Sequence, residues 1–206
     1  MKISLTSAGK RYNRDWIFRN CSYQFITGNS YAITGPNGSG KSTLLQSIGG
    51  AIALSEGQVH WHSATNNTTA EIAHTQIAIA APYLEVIEEM TVTEFLQFHQ
   101  QFKPLLSGIT IPFIIDKIGL ASASEKQIRY YSSGMKQRVK LAQAIFSEVP
   151  VLLLDEPCTN LDAAGIELYQ RLVNEYCQQK LVIVSSNDIA EYGFCTHQVK
   201  ITDYKS

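Results

Sequence analysis

Four short runs of consecutive apolar residues stand out along the chain, each bounded by polar or glycine-rich segments. They cover residues 31–34, 77–81, 151–154 and 181–185. Strands that are buried on both faces have this continuous apolar character, whereas half-exposed strands alternate between apolar and polar positions. The pattern therefore predicts an α/β fold with a mainly parallel sheet that is covered by helices.

The rest of the chain predicts an antiparallel layer and a helical region. Residues 3–25 form shorter, more alternating segments with Tyr, Trp and Phe, which indicates an antiparallel layer at the edge of the fold. Between residues 85 and 133 the apolar positions recur with helical spacing, and Thr93 is the predicted N-cap of the first helix. Further helices are expected at 111–118 and 136–146, and a polar surface loop at 63–69.

Length, charge and cysteine usage limit the classes of protein that fit. The chain has 206 residues, which suits one domain or one domain with an inserted lobe. Its formal net charge of -1 provides no overall attraction for nucleic acid, so no nucleic-acid partner is expected. It has no apolar run of about 18 residues and no apolar signal-peptide core, so we expect a cytosolic protein. The 4 cysteines are far apart and include no Cys-x-x-Cys pair, which predicts reduced thiols.

Residues 35–43 carry the most specific motif of the chain. They read Gly-Pro-Asn-Gly-Ser-Gly-Lys-Ser-Thr and fit G-x-x-x-x-G-K-[ST], the phosphate-binding P-loop. Glycines let the backbone wrap around a polyphosphate, Lys41 would reach the β- and γ-phosphates, and Ser42 would ligate Mg²⁺. A predicted strand precedes the motif and an apolar-faced helix follows it, which is the setting that a P-loop requires. The predicted nucleotide-binding residues are Gly35, Asn37, Gly38, Ser39, Gly40, Lys41, Ser42 and Thr43.

A second motif lies at residues 151–157, where an apolar strand is followed by two carboxylates and a proline. Parallel strands deliver the residues at their carboxyl ends to the edge of the sheet where a nucleotide binds. Asp155 would hold Mg²⁺ together with Ser42, and Glu156 would act as the general base that activates water. A strand ended by solvated acids is the alternative, and the presence of a P-loop makes it the weaker one.

A third motif occupies residues 131–138 and reads Tyr-Ser-Ser-Gly-Met-Lys-Gln-Arg. Taken alone, hydroxyls and a glycine before helix-forming residues indicate only a helix cap. Its position between the P-loop and the acidic strand end changes this interpretation, because the three motifs now stand in a characteristic order.

With these three motifs the chain resembles the ATP-binding-cassette (ABC) ATPase family, whose signature is Leu-Ser-Gly-Gly-Gln. Ser132 and Gly134 match the signature, whereas Ser133 and Met135 replace its first glycine and its glutamine. The resemblance covers nearly the whole chain, and it implies that Ser132, Ser133 and Gly134 contact ATP.

The resemblance implies a single ABC ATPase domain with a RecA-like core at residues 1–83 and 141–206 and a helical lobe at 84–140. ATP and Mg²⁺ are the implied cofactors, and ATP hydrolysis is the implied activity. Two copies, or this chain and a second ABC ATPase, would each hold ATP between one P-loop and the partner's signature. Residues 158–162, the D-loop of the family, would run along that interface.

The implied partner is an integral-membrane transporter subunit on a separate chain, which would hold this protein at the cytoplasmic, inner face of the cell membrane. ATP binding would close the dimer, and hydrolysis with product release would reopen it and drive transport. The alternative is a nucleotide-gated regulatory or structural subunit that moves no substrate. A simple P-loop kinase fits less well, because it would not need the signature motif.

Two family positions are occupied by unusual or ambiguous residues. An aromatic side chain upstream of the P-loop stacks on adenine in this family, and Tyr12 is the best match, with Trp16 as the alternative. The switch histidine that follows the last core strand is replaced by Asn187, whose amide can donate a hydrogen bond but carries no charge. His197 comes ten residues later and is not that switch.

The family also has a glutamine at the end of the strand before the helical lobe, where it senses Mg²⁺ and water. Residues 79–83 read Ile-Ala-Ala-Pro-Tyr and lack it, and Gln76 lies upstream of this strand. The candidate substitutes are Glu85, Glu88 and Glu89. His60 and His62, which flank Trp61, are interpreted as surface or packing residues rather than metal ligands.

Overall fold

The computed structural model describes residues 1–62, 67–68 and 73–205. Of the predicted polar loop at 63–69, residues 63–66 and 69 lie outside the described residues, while Asn67–Thr68 form a short strand. The strands are β1 (Lys2–Tyr12), β2 (Asp15–Ile26), β3 (Ser30–Thr34), β4 (Glu56–His62), β5 (Asn67–Thr68), β6 (Ile77–Ala80), β7 (Val151–Asp155), β8 (Leu181–Ser185) and β9 (His197–Lys200). The helices are α1 (Lys41–Ile48), α2 (Val92–His99), α3 (Ile111–Lys117), α4 (Ser133–Ile145), α5 (Ala163–Tyr176) and α6 (Ile189–Tyr192).

Two sheets form the framework of the fold. The central sheet has five strands in the order β6-β7-β8-β3-β9, and every neighbouring pair is parallel. The second sheet has four strands in the order β2-β1-β4-β5, and all its pairs are antiparallel. The predicted parallel core and antiparallel layer are confirmed, and the four apolar runs correspond to β3, β6, β7 and β8.

Alternate residues of the central strands pack into two separate hydrophobic clusters. Leu152 and Leu154 of β7 belong to a cluster with α2, α3, α4 and α5. Val151 and Leu153 of the same strand belong to the other cluster, with α1 and the antiparallel sheet. All four side chains are fully buried. Burial on both faces is therefore the physical reason for the unbroken apolar runs.

Residues 84–140 contain α2, α3 and the first part of α4, and this fully described stretch has no strand. α4 continues to Ile145 across the predicted boundary at 140, so the two parts of the domain share this helix. In residues 1–62, 67–68 and 73–205, no helix is both long and apolar enough to cross a bilayer. The exact limits of the core and the helical lobe stay a prediction.

The predicted N-cap of α2 at Thr93 is wrong, because Thr91 holds that position. Thr91 Oγ1 accepts a hydrogen bond from the Glu94 backbone N at 3.2 Å, and Glu94 Oε2 accepts one from the Thr91 backbone N at 2.8 Å. This reciprocal arrangement is a capping box, which satisfies two otherwise unpaired amides at the helix start. Thr93 is followed three residues later by Leu96, which cannot return such a bond.

The start of α4 also differs from the prediction, since the helix begins at Ser133 rather than Lys136. Ser132 is its N-cap, and its Oγ accepts a hydrogen bond from the Met135 backbone N at 3.2 Å. Ser133 and Gly134 therefore belong to the first turn of the helix instead of the loop before it.

The thiols of Cys21, Cys158, Cys177 and Cys195 are all free, as the sequence predicted. Burial raises the pKa of the Cys21 thiol to about 12 and has the same effect on Cys158. Thiols with such pKa values are protonated at neutral pH and are poor nucleophiles.

β4 passes very close to β1 at a bulge in β1. The pairing register of these strands shifts between Thr6 and Gly9, and Ser7 has a positive φ of 45°. Gly57 of β4 lies against the bulge with a φ of 73°, and a Cβ added there would lie 2.2 Å from the Ser7 carbonyl oxygen. Glycine is required here both for its backbone angle and for the space it leaves.

We expect Gly57→Ala to lower the free energy of unfolding more than the control Gly108→Ala. The two glycines have similar φ values of 73° and 78°, but nothing lies within 4 Å of a Cβ at Gly108. Both variants carry a left-handed backbone penalty of about 1 kcal/mol, and Gly57→Ala adds an overpacking cost of about 1–3 kcal/mol. Urea denaturation measures the difference, and equal losses would contradict the tight approach of Ser7.

Candidate functional site

Four of the predicted features, namely the P-loop, Asp155, Glu156 and Asn187, meet at the carboxyl edge of the central sheet. β3 leads into residues 35–40 and then α1, whereas β7 ends at Asp155. β8 lies between these strands, so their ends are about 10 Å apart. α1 closes this gap, because Ser42 Oγ donates a hydrogen bond to Asp155 Oδ1 at 3.0 Å.

The loop at 35–40 bends tightly before α1. Gly40 has a φ of 100°, and a Cβ added to it would lie 2.2 Å from Ile17 Cγ2 of β2. Gly40 is also the N-cap of α1, where it has no side chain to satisfy the first backbone amides of the helix. These amides and the positive end of the helix dipole are available to an anion. Gly38 in the same loop also has a positive φ, 72°, and the side of the loop at Asn37 and Gly38 is exposed.

Two buried polar side chains at this loop keep hydrogen-bonding capacity for a phosphate. Lys41 is 4% exposed, and its Nζ donates to the backbone oxygens of Gly35 and Pro36 at 3.0 and 3.2 Å. An ammonium has three donors, so one remains. Ser39 is buried, and its hydroxyl has no hydrogen-bond partner among the residues that the structure describes. Thr43 follows on α1, where its carbonyl oxygen accepts a hydrogen bond from Ser47 Oγ.

Ser42 and Asp155 fit a Mg²⁺ ion. Mg²⁺ prefers oxygen ligands, and two adjacent oxygens on an octahedral Mg²⁺ with bonds of about 2.1 Å lie about 3 Å apart. Ser42 Oγ and Asp155 Oδ1 are 3.0 Å apart. Asp155 is 2% exposed, and this burial raises the pKa of its carboxyl while the hydrogen bond from Ser42 lowers it. A nearby cation would offset the desolvation of this carboxylate.

Glu156 follows Asp155 in a backbone conformation that few residues other than glycine adopt. Its φ is 41°, and its backbone N donates to the Ser185 carbonyl oxygen of β8 at 2.9 Å. Its own carbonyl oxygen accepts hydrogen bonds from Thr159 N and Thr159 Oγ1 at 3.1 and 2.8 Å. These bonds hold the partly buried Glu156 side chain at the same edge of the sheet as Asp155. Such strained residues cluster at functional sites.

Asn187 is brought next to the P-loop. It follows β8 on an exposed segment, and its Nδ2 donates a hydrogen bond to Asn37 Oδ1 at 3.0 Å. His197 lies elsewhere, because it begins β9 and stacks on Tyr31 with ring centroids 4.8 Å apart. Tyr31 is near the start of β3, so His197 is at the opposite end of the sheet from the P-loop.

The three signature residues lie apart from this cluster. Ser132 and Ser133 are exposed at the start of α4. Gly134 lies against the loop that follows β7, since a Cβ added to it would be 3.0 Å from the Asn160 carbonyl oxygen. Within the described part of the chain, no hydrogen bond joins residues 132–134 to residues 35–43. The structure thus brings the P-loop, Asp155, Glu156 and Asn187 together and leaves the signature on the surface.

Two side chains that sequence reasoning missed hold the loop after β7. Gln137 on α4 donates from Nε2 to the Pro157 carbonyl oxygen at 2.7 Å. Glu191 on α6 accepts a hydrogen bond from the Cys158 backbone N at 2.7 Å, and burial raises the pKa of its carboxyl. The available signal was a polar side chain in an apolar helical stripe, since Gln137 shares a helix face with Leu141.

The two aromatic candidates differ in their surroundings. Tyr12 ends β1 and is 48% exposed, with Lys10 Nζ 5.1 Å from its ring centroid. Trp16 is less exposed and is flanked by the guanidinium groups of Arg11 and Arg19, at 5.6 and 4.5 Å from its ring. The ring of Tyr12 is the more accessible one, so Tyr12 stays the preferred prediction for stacking on adenine.

The fold and these clustered residues define the class of the protein as an ATP-binding cassette. The ABC transporter family matches residues 18–159, and the chain belongs to this family. ATP-binding proteins of the family generally are ATPases that bind ATP with Mg²⁺ and work with membrane transporter components.

Several individual proteins are similar to this chain. The cytochrome c biogenesis ATP-binding export protein CcmA of Haemophilus influenzae is 28% identical over 89% of this chain and 87% of its own length. CcmA of Brucella abortus is 31% identical over 88% of this chain and 82% of its own length. Among solved structures, a putative ABC transporter ATP-binding protein from Pyrococcus furiosus has a TM-score of 0.83 at 20% identity over 100% of both chains. This last likeness establishes the fold.

We expect Lys41→Ala to weaken ATP binding strongly. The substitution removes the ammonium that would pair with the β- and γ-phosphates, and a hydrogen bond to a charged group is worth about 1.5–3 kcal/mol. The dissociation constant for ATP with Mg²⁺ should therefore rise about 10- to 150-fold. Equilibrium titration checks this result, with Lys117→Ala, whose partner is Glu175 on a different surface, as the control. Unchanged affinity in Lys41→Ala would refute the P-loop assignment.

We expect Glu191→Ala to destabilise the protein. The variant leaves the buried backbone N of Cys158 without its acceptor, which costs about 1–3 kcal/mol. The control Glu167→Ala changes an exposed carboxylate of α5 and should stay within about 0.5 kcal/mol of the wild type. Chemical denaturation of the three proteins measures both values, and a Glu191→Ala variant as stable as the control would contradict the anchoring role.

Proposed function

We propose that this chain binds and hydrolyses ATP as the catalytic subunit of an ABC transporter whose membrane-spanning part is a separate chain. The observation that carries the proposal is the 3.0 Å contact between Ser42 and Asp155, with Glu156 as the next residue. A hydroxyl from the P-loop helix and a buried carboxylate from β7 form the oxygen pair that a nucleotide-bound Mg²⁺ requires.

Each residue of the site has a chemical task in this proposal. Lys41 and the amides at the start of α1 bind the β- and γ-phosphates and stabilise the charge that develops during phosphoryl transfer. Glu156 accepts the proton of the attacking water as general base. Asn187 donates an amide hydrogen bond toward the γ-phosphate. Mg²⁺, when bound by Ser42 and Asp155, neutralises phosphate charge.

The signature segment supports a dimer. Ser132 and Ser133 are exposed and lie apart from the P-loop of their own chain, so they are free to cover a nucleotide on another subunit. In a dimer with a second copy or with a second ABC ATPase, Ser132 and Ser133 of this chain would face the ATP that is bound to the other subunit. Nucleotide held between residues 35–43 of one subunit and residues 132–134 of the other then joins the two subunits.

The partner follows from the family. ABC ATP-binding proteins act on membrane transporter components, and we place this subunit at the cytoplasmic face of the membrane through such a partner. The relatives from Haemophilus influenzae and Brucella abortus are named export proteins of cytochrome c biogenesis. The cargo contacts the membrane subunit, so its identity is a property of that subunit.

One observation favours a second function, that of a nucleotide-gated regulatory or structural subunit. Asn187 stands at the switch position and is paired with Asn37. An amide stays neutral at every pH, so it stabilises the γ-phosphate less than an imidazolium would. In that case ATP would close the dimer, and hydrolysis would be too slow to drive transport.

Glu156→Gln tests the proposed function. The variant keeps the shape and hydrogen bonding of the side chain but loses its basicity, so ATP should still bind while hydrolysis slows about 10²- to 10⁴-fold. The variant should accumulate as an ATP-dependent dimer on size-exclusion chromatography, whereas the wild type should return to monomer as ATP is consumed. A wild type with no ATPase activity that also stays dimeric would favour the regulatory function.

Ser132→Arg in the Glu156→Gln background supplies the control for the shared site. Arginine adds bulk and charge at the surface that would face the other subunit's phosphates, so ATP should no longer produce a dimer. Dimerisation as strong as in the single variant would refute the head-to-tail arrangement.

A further inference from the structure

The turn that follows β6 lies beside the candidate Mg²⁺ site. β6 pairs in parallel with β7, with Ala80 opposite Leu154, so the next residues of both strands emerge together at the carboxyl edge of the sheet. The Leu84 backbone N donates to the Ala81 carbonyl oxygen at 3.2 Å, which closes a turn with Pro82 and Tyr83 at its centre. Ala81 is therefore level with Asp155, and Tyr83 lies two residues further along, in the turn above this edge of the sheet.

The surroundings of Tyr83 agree with this placement. Lys140 of α4 donates from Nζ to the Pro82 carbonyl oxygen at 3.3 Å and so ties the turn to the helix that begins with the signature. The Tyr83 side chain is 47% exposed, which leaves part of the ring open to solvent or ligand. Burial, together with the nearby charge of Asp155, raises the pKa of the Tyr83 phenol to about 12. The hydroxyl is therefore a neutral donor at physiological pH.

The other candidates for the missing glutamine are engaged elsewhere. Gln76 lies in a 3-10 turn before β6, at the opposite end of that strand from Asp155. Glu88 forms an ion pair with Lys136 at 2.5 Å, and Glu89 forms one with Arg129 at 3.6 Å. These contacts direct both carboxylates toward cations of the helical region.

Glu85 is not suited to the task either. Burial lowers the pKa of the Lys140 ammonium, and the negative charge of Glu85 offsets part of this effect, so Glu85 lies close to Lys140. A third carboxylate beside Asp155 and Glu156 would also repel them wherever no cation intervenes. A neutral hydroxyl carries no such penalty.

We propose that the Tyr83 phenol takes the place of the absent glutamine and donates a hydrogen bond to water held by Mg²⁺ at the Ser42–Asp155 pair. Tyr83 is a positioning residue in this scheme, since it orients the water and forms no bond to the reacting phosphorus. This inference rests on the proposed function, because it needs nucleotide and Mg²⁺ in the site. A phenol has one proton to donate, whereas a glutamine amide has two and also offers a carbonyl oxygen.

Tyr83→Phe isolates the hydroxyl, because it keeps the ring and its packing. We would titrate a non-hydrolysable ATP analogue by calorimetry, once with Mg²⁺ and once with EDTA. The affinity with Mg²⁺ should fall about tenfold, as expected for one lost hydrogen bond to a polarised oxygen. The affinity in EDTA should match the wild type, because the water is held only by the metal. A purely structural role would change both affinities alike.

Two further variants complete the test. Tyr83→Leu, which removes ring and hydroxyl together, should lose Mg²⁺-dependent affinity to the same extent as Tyr83→Phe. Tyr176→Phe removes a hydroxyl at the far end of α5 and should leave both affinities unchanged. Wild-type affinities in Tyr83→Phe, or equal losses with and without Mg²⁺, would overturn the inference.

Lys41→Ala in the same titrations separates this inference from the proposed function. If Lys41→Ala loses affinity while Tyr83→Phe does not, the nucleotide site stands and Tyr83 has no part in it. If Lys41→Ala binds as tightly as the wild type, the nucleotide site itself is wrong.

Discussion

The contact between Ser42 and Asp155 is the constraint on which the rest of the candidate site depends. It spans β8 and joins α1 to β7, so the course of the P-loop, the tilt of α1 and the strand register must all agree for it to form. Asp155 is almost entirely buried, and a carboxylate removed from water is costly unless polar partners or a cation compensate. The hydroxyl of Ser42 and the charge of Lys41 supply part of that compensation. The fold thereby keeps a polar centre at the edge of an apolar sheet.

The loop after β7 is held from two sides by buried polar side chains. Gln137 reaches it from α4, which starts at the signature, and Glu191 reaches it from α6, which starts just after Asn187. The Tyr169 hydroxyl donates to the Glu191 carbonyl oxygen at 2.8 Å and fixes α6 against α5. Buried bonds of this kind are strong in a low-dielectric interior and specify one arrangement of the elements they join. The loop that carries Glu156 is thus part of a rigid frame.

In the proposed function, neutral side chains take the places of the family's switch histidine and of the absent glutamine. Asn187 carries an amide with no titratable proton, and the phenol of Tyr83 has its pKa raised to about 12. Both groups donate hydrogen bonds and stay neutral across the whole physiological pH range. A histidine with a pKa near 6.5 changes its charge within that range. Their hydrogen-bonding chemistry is therefore insensitive to pH in this interval.

Local sequence was sufficient for the elements and for the motifs at their ends. Unbroken apolar runs indicate burial on two faces. The glycines and the lysine of residues 35–43 indicate a phosphate-binding loop, because the shape of such a loop depends on residues that are adjacent in sequence. The Thr91–Glu94 capping box is equally local. The N-cap prediction at Thr93 was wrong because it overlooked the three-residue spacing between Thr91 and Glu94. The motifs predicted that Ser42 and Asp155 share one Mg²⁺ site, but only the tertiary structure shows the direct hydrogen bonds Ser42–Asp155 and Asn37–Asn187, whose residues are separated by 113 and 150 positions. These pairs depend on the strand order β7-β8-β3, and that order results from how helices and sheets pack around both clusters, which no local pattern encodes.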